Sequence, residues 1–83
     1  MYCYVYQIHP FSDTMHFECS YTREADARAY AATRSAKFPT CRYVILHSLL
    51  PLSVQRKLDY KVAAQFYRLS TYKAGMPNDA YPL

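Results

Sequence analysis

The sequence predicts a small α+β domain of order β-β-α-β-α, with a three-stranded, mainly antiparallel sheet of strand order 2-1-3 and two helices. Three observations predict it. The stretches Tyr2 to His9 and Met15 to Tyr21 alternate with period two, as strands do. From Thr22 the period lengthens, and an alanine-rich stretch runs to Lys37. The chain has 83 residues, enough for one small core.

The first strand, Tyr2 to His9, sets Tyr2, Tyr4, Tyr6 and Ile8 on one face and Cys3, Val5, Gln7 and His9 on the other. Pro10-Phe11-Ser12-Asp13-Thr14 carries turn residues. In the second strand Met15, Phe17, Cys19 and Tyr21 alternate with His16, Glu18 and Ser20, the pattern of a hairpin with one buried face. Thr22 is the expected N-cap of a helix from Arg23 to Lys37, with Glu24 and Asp26 placed to meet the helix dipole. Ala25, Ala29, Ala32 and Ala36 form a stripe of methyl groups that brings the helix close to the sheet. Such a stripe needs bulky partners, and Tyr2, Tyr4 and Tyr6 are expected to supply them. An exposed stacking row is the alternative for these tyrosines. It lacks the glycine-containing neighbour strand of RRM domains, since the third strand reads Cys41-Arg42-Tyr43-Val44-Ile45-Leu46. Tyr2, Tyr4 and Tyr6 would turn away from the helices if Cys3, Val5 and Gln7 faced them instead.

Pro39 ends the first helix, and the third strand runs from Cys41 to about Leu49. Leu50-Pro51-Leu52 connects it to a second helix, capped by Ser53 and running from Val54 to about Tyr72. Val54, Leu58, Val62, Phe66 and Leu69 are its expected apolar stripe. Gly75 and Pro77 mark its end, so residues 1–75 read as one domain and 76–83 as a C-terminal tail. A right-handed crossover from the second strand places the third beside the first, which puts the first strand at the centre. The expected core is Val5, Ile8, Phe17, Cys19, Ala25, Ala29, Ala32, Val44, Leu46, Leu58, Val62, Phe66 and Leu69.

Composition narrows the chemistry. Gly75 is the single glycine, which excludes the glycine-rich phosphate loops of P-loop and dinucleotide-binding proteins. Cys3, Cys19 and Cys41 are an odd number, unlike the paired set of a secreted disulfide scaffold. With no basic leader before a long apolar run, the chain reads as cytoplasmic, with reduced thiols and no membrane segment. Cys3, Cys19, Cys41, His9, His16 and His47 show no metal-ligand spacing and read as small buried hydrophobes and strand residues, so no metal or cofactor is expected. Cys41 and His47 share a strand face but lie roughly 20 Å apart along it, too far for a catalytic pair. Glu24 and Asp26 diverge around a helix. No enzyme activity is expected.

The net charge of +4 suits an acidic partner, whether protein or nucleic acid. The candidate binding residues are Arg23, Tyr30, Arg34 and Lys37 on the first helix and Lys57, Tyr60, Lys61, Tyr67 and Arg68 on the second. Cations interleaved with tyrosines fit a protein interface, where Tyr and Arg anchor. They also fit phosphate contacts with base stacking, and a plain solvated face. The edge strand Met15 to Tyr21 offers self-pairing, so a monomer or a homodimer is open.

The first fifty residues, a strand at Tyr2 to His9, a strand at Met15 to Tyr21, the helix Thr22 to Lys37 and a strand at Cys41 to Leu49, form a β-β-α-β unit. In element order and size this resembles small phage-encoded inhibitors of host RNA polymerase and some anti-CRISPR proteins. The chain departs from them by its added second helix, and no functional residue carries over. The resemblance implies a non-enzymatic inhibitor docking on a large host protein or ribonucleoprotein complex of CRISPR-Cas defence or transcription. A small nucleic-acid-binding module and a self-associating accessory domain are the alternatives.

Overall fold

A computed structural model of the chain describes residues 1–73 and the backbone of 81–82. Tyr2–Ile8 (β1) and Thr14–Tyr21 (β2) pair as an antiparallel hairpin. Glu24–Lys37 (α1) follows, then Arg42–Ser48 (β3), antiparallel to β1 on its other side. The chain continues through Lys57–Asp59 (β4), Tyr60–Phe66 (α2), Arg68–Tyr72 (β5) and the two-residue Tyr81–Pro82 (β6). The sheet order is β4-β2-β1-β3-β5-β6. The α+β class, the two helices and the central 2-1-3 arrangement agree with the sequence. The strand number does not: five strands build the sheet, with β6 as a short addition at its edge.

The helix expected over Val54 to Tyr72 is corrected to strand, short helix, strand. A three-stranded sheet would leave the backbone of apolar Val44, Ile45 and Leu46 as an open edge, and β5 closes it by pairing Tyr43 through His47 with Tyr72 through Arg68. Along β5 the side chains enter both layers, Leu69 on one face and Tyr72 on the other, which a one-sided helix cannot do. β4 likewise covers Thr14 to His16 of β2. Asp59, not Ser53, caps α2, its Oδ1 accepting from the Val62 amide at 3.1 Å. Val62 and Phe66, expected in the core, are exposed, while Ala63 is the residue α2 buries. Gly75 and Pro77 lie outside the described residues, as does the tail beyond them apart from the β6 backbone.

The sheet is covered on both faces. On one, α1 packs Ala27 and Ala31 against Cys3, Val5, Tyr43, Ile45 and Tyr72. On the other, Tyr4, Tyr6, Ile8, Val44, Leu46 and Leu69 lie beneath Leu52, Val54, Leu58, Tyr60 and Ala63. The tyrosine row is therefore core, as one reading held, but on the face opposite α1. The alanine stripe also moves: Ala25 and Ala29 are exposed, and α1 buries Ala27, Ala31 and Ser35. Alanine lies on every side of this helix, so methyl groups alone do not orient it. At its start Arg23 occupies the cap position without a side-chain cap bond, and Thr22 does not fill that role.

A bulge corrects the second strand. Val5 pairs with Cys19 and Tyr6 with Phe17, which leaves Glu18 as an extra residue in β2. One added residue inverts the facing of everything beyond it. Met15 and Phe17 therefore pack on the tyrosine side, Phe17 edge-on to Tyr6 at 5.6 Å between ring centroids. Cys19 and Tyr21 pack on the α1 side.

Candidate functional site

The fold distributes the nine predicted binding residues instead of gathering them on one face. Helices α1 and α2 lie on opposite sides of the sheet, and β4 is one of its edge strands. Tyr30 in the middle of α1 and Arg34 in its last turn face inward to β2: the Tyr30 hydroxyl donates to Glu18 Oε1 at 2.8 Å, and Arg34 Nε lies 3.3 Å from the same carboxylate. Arg34 also stacks on Phe38 at 4.7 Å. Arg23 pairs with Asp26 at the opening of α1. Lys37 lies over Phe38 at the close of the same helix. Lys57, Tyr60 and Lys61 gather near the β1–β2 turn, where Lys61 Nζ is 3.6 Å from Asp13 Oδ2 and Arg42 stacks on Tyr60. Tyr67 and Arg68 lie at the opposite end of the sheet, where Arg68 pairs with His47.

That opposite end holds the most conspicuous surface. The end of β3, the start of β1 and the α2–β5 junction meet there. Ser48 makes the local turn: its hydroxyl donates to the Leu50 carbonyl at 2.6 Å and accepts from the Leu50 amide at 3.2 Å. The turn projects Leu49 and Leu50 outward, 81% and 71% exposed. Phe66, the last residue of α2, is also 71% exposed. With Tyr67 and Arg68 these residues line an open groove of about 290 Å3 over His47 and Ser48. A second recess of about 230 Å3 between Met1, Leu49 and Arg68 extends it. Clustered large apolar side chains beside an arginine are the ingredients of an interface anchor. A further cavity of about 50 Å3 under Leu52 and Val54, lined by Tyr4, Tyr6 and Tyr67, has room for a few waters.

Beneath the groove, on the α1 side, lies a buried polar cluster. His47 Nδ1 is 3.9 Å from Cys3 Sγ and 3.8 Å from Glu24 Oε1, and His47 Nε2 shares a 3.0 Å hydrogen bond with Ser70 Oγ. Burial, and then Arg68, push the His47 pKa down, against the pull of Glu24. Burial, and then Glu24, push the Cys3 thiol up. The imidazole is thus held neutral and the thiol protonated, the reverse of an activated cysteine–histidine pair. Cys3 and Ser70 are sealed from solvent. The other candidate histidine–cysteine neighbours, His9 and Cys41, are 3.9 Å apart beside the β1–β2 turn. All three cysteines are free thiols, and among the described residues no group of three His, Cys, Asp or Glu side chains is arranged to hold a metal.

Sequence reasoning missed Leu49 and Leu50, read as strand end and connector, and Phe66, read as core. The one signal for them is the apolar run Leu49-Leu50-Pro51-Leu52 across a proline, richer in leucine than a solvated loop needs. It also missed Phe11, read as a plain turn residue, which is fully exposed at φ 60°. Among the described residues, no helix is long and apolar enough to cross a membrane. Comparison of the chain with protein families, characterised proteins and solved structures finds no match.

Proposed function

We propose that this chain is a non-enzymatic cytoplasmic binding protein that docks on a larger protein through the groove formed by Leu49, Leu50, Phe66, Tyr67 and Arg68. The observation that carries the reading is the exposure of Leu49, Leu50 and Phe66 together around that groove. Burying such side chains against a partner contributes about 1.5–3 kcal/mol each before association costs, and leaving them in water gains nothing. The Cys3–His47–Ser70 cluster supplies the groove with no exposed nucleophile, because Cys3 and Ser70 are buried. The narrower form of the reading, a phage or mobile-element inhibitor of a host defence or transcription complex, draws support from the β-β-α-β order retained over Tyr2–Ser48.

This reading moves the contact surface away from the basic stripes. Arg34, half-buried and held 3.3 Å from the Glu18 carboxylate, has little value as a free anchor for an acidic surface. The test is affinity capture from host lysate with Phe66→Asp and Leu50→Asp beside the parent chain. Both positions are exposed, so both variants are expected to keep the parent's circular dichroism. The reading expects each to lose at least about 30-fold in affinity, as hot-spot substitutions do. Capture undiminished in both variants excludes the groove as the docking surface.

A further inference from the structure

The opposite end of the sheet carries a second surface that the groove reading does not use. Phe11 stands at the tip of the β1–β2 hairpin with its ring wholly in solvent and its backbone at φ 60°. Left-handed backbone is disfavoured for a bulky residue, and an exposed aromatic ring gains nothing from the fold. Both features run against stability, so the reason for this residue lies outside the folded chain.

Cations surround the tip. Ile8 at the end of β1 pairs with Arg42 at the start of β3, and Arg42 Nη2 donates to the Ser12 carbonyl at 3.4 Å, which holds the loop. Lys57 pairs with His16 at the start of β2, and Lys61 reaches Asp13. On the α1 side the chain returns here through Phe38, whose carbonyl accepts from the Cys41 amide, with Lys37 over the Phe38 ring at 5.6 Å. Among the described residues, the two acids near the tip are already engaged. Asp59 caps α2, and Asp13 holds Lys61 in an exposed pair, the kind that yields readily to a stronger anion. Four cations flanking a free aromatic ring match a polyanion that also presents flat π-faces, with backbone charge for the lysines and arginine and a base for the ring.

We propose that the hairpin end binds single-stranded nucleic acid, with Phe11 stacking on a base and Lys37, Arg42, Lys57 and Lys61 contacting phosphates. The site is independent of the groove: Phe66 and Leu50 lie at the other end of the sheet. Four phosphate contacts give a slope of log affinity against log salt near −3, at roughly 0.7 per contact for a single strand.

Fluorescence anisotropy of the full chain with labelled single-stranded DNA and RNA of about 12 nucleotides, at about 50 mM salt, tests it. Binding is expected, falling roughly 50-fold by about 200 mM salt. Phe11→Gly is expected to weaken it about 5- to 100-fold while leaving Tm unchanged or higher, because glycine accepts left-handed backbone. Lys57→Glu with Lys61→Glu is expected to flatten the salt slope. Phe66→Asp should leave binding untouched, which separates this site from the groove. No binding at about 50 mM salt overturns the proposal, as does binding indifferent to Phe11→Gly.

Discussion

The Tyr30 hydroxyl donates to Glu18 Oε1 across 2.8 Å, tying the middle of α1 to the one residue that the β2 bulge leaves over. The bulge turns Cys19 and Tyr21 toward α1 and offers the helix a carboxylate in the same step. Arg34, 3.3 Å from that carboxylate but without the angle of a hydrogen bond, completes the contact as an ion pair. A double-mutant cycle measures the link. Tyr30→Phe and Glu18→Ala are each expected to cost about 1–2 kcal/mol in urea unfolding, and together clearly less than their sum. Strict additivity would mean that the hydroxyl and the carboxylate do not act on each other.

The facing of α1 gives a second prediction. Ala31 is fully buried against the sheet, whereas Ala29 is exposed. Ala31→Leu forces extra volume into a packed layer and is expected to cost about 1–3 kcal/mol. Ala29→Leu is expected to change stability by less than about 0.5 kcal/mol. The reverse order of effects would restore the stripe of Ala25, Ala29, Ala32 and Ala36 that the sequence suggested.

Alkaline pH is expected to unfold the protein through its buried phenols. Burial, foremost, pushes Tyr6, Tyr30 and Tyr43 above the usual tyrosine range, and for Tyr30 the carboxylate of Glu18 adds to it. These groups keep their protons in the fold after they would lose them in the unfolded chain. Their stabilising effect is therefore complete below about pH 10 and is lost as pH rises through the higher folded values. Absorbance at alkaline pH is expected to show the exposed tyrosines ionising first and the buried ones only with loss of the near-UV circular dichroism. A single smooth titration of all tyrosines before unfolding would contradict the packing described.

Acid acts through His47. Its folded pKa is lowered, so the unfolded chain takes up the proton first as pH falls. The associated stability is present above the ordinary histidine value of about 6.5 and is lost as pH drops through the folded value. His47→Gln is expected to lower Tm at pH 7 by disturbing the contact with Ser70, and to flatten the decline between about pH 7 and 5. An unchanged decline in the variant would assign it to other groups.

The hairpin, the first helix and the central position of β1 were legible because alternation and alanine content are local signals. What failed did so for non-local reasons. Val54 to Tyr72 carries apolar residues at helical spacing, but β5 forms there because β3 presents an edge to close, a demand no window of sequence contains. Glu18 gives no warning of the bulge, since Met15 to Tyr21 alternate without a break in letters. The candidate cations do not form one surface, because the strands that replace the second helix put Lys57 and Arg68 at opposite ends of the sheet and Arg34 turns inward to Glu18. Leu49 and Phe66 were assigned to strand and core because a leucine or phenylalanine in a small protein is usually inside, and only the course of the chain shows that these are not.

The central claim is that the groove end meets a protein. The most direct measurement places a photoreactive phenylalanine derivative at position 50 and, as a control, at Ser20, an exposed residue of β2, and irradiates each chain in the lysate of the cells that express it. The account predicts one discrete adduct with a larger protein from position 50, lost on adding Phe66→Asp, and none from position 20. Equal adducts from both positions, or none from position 50, would contradict it.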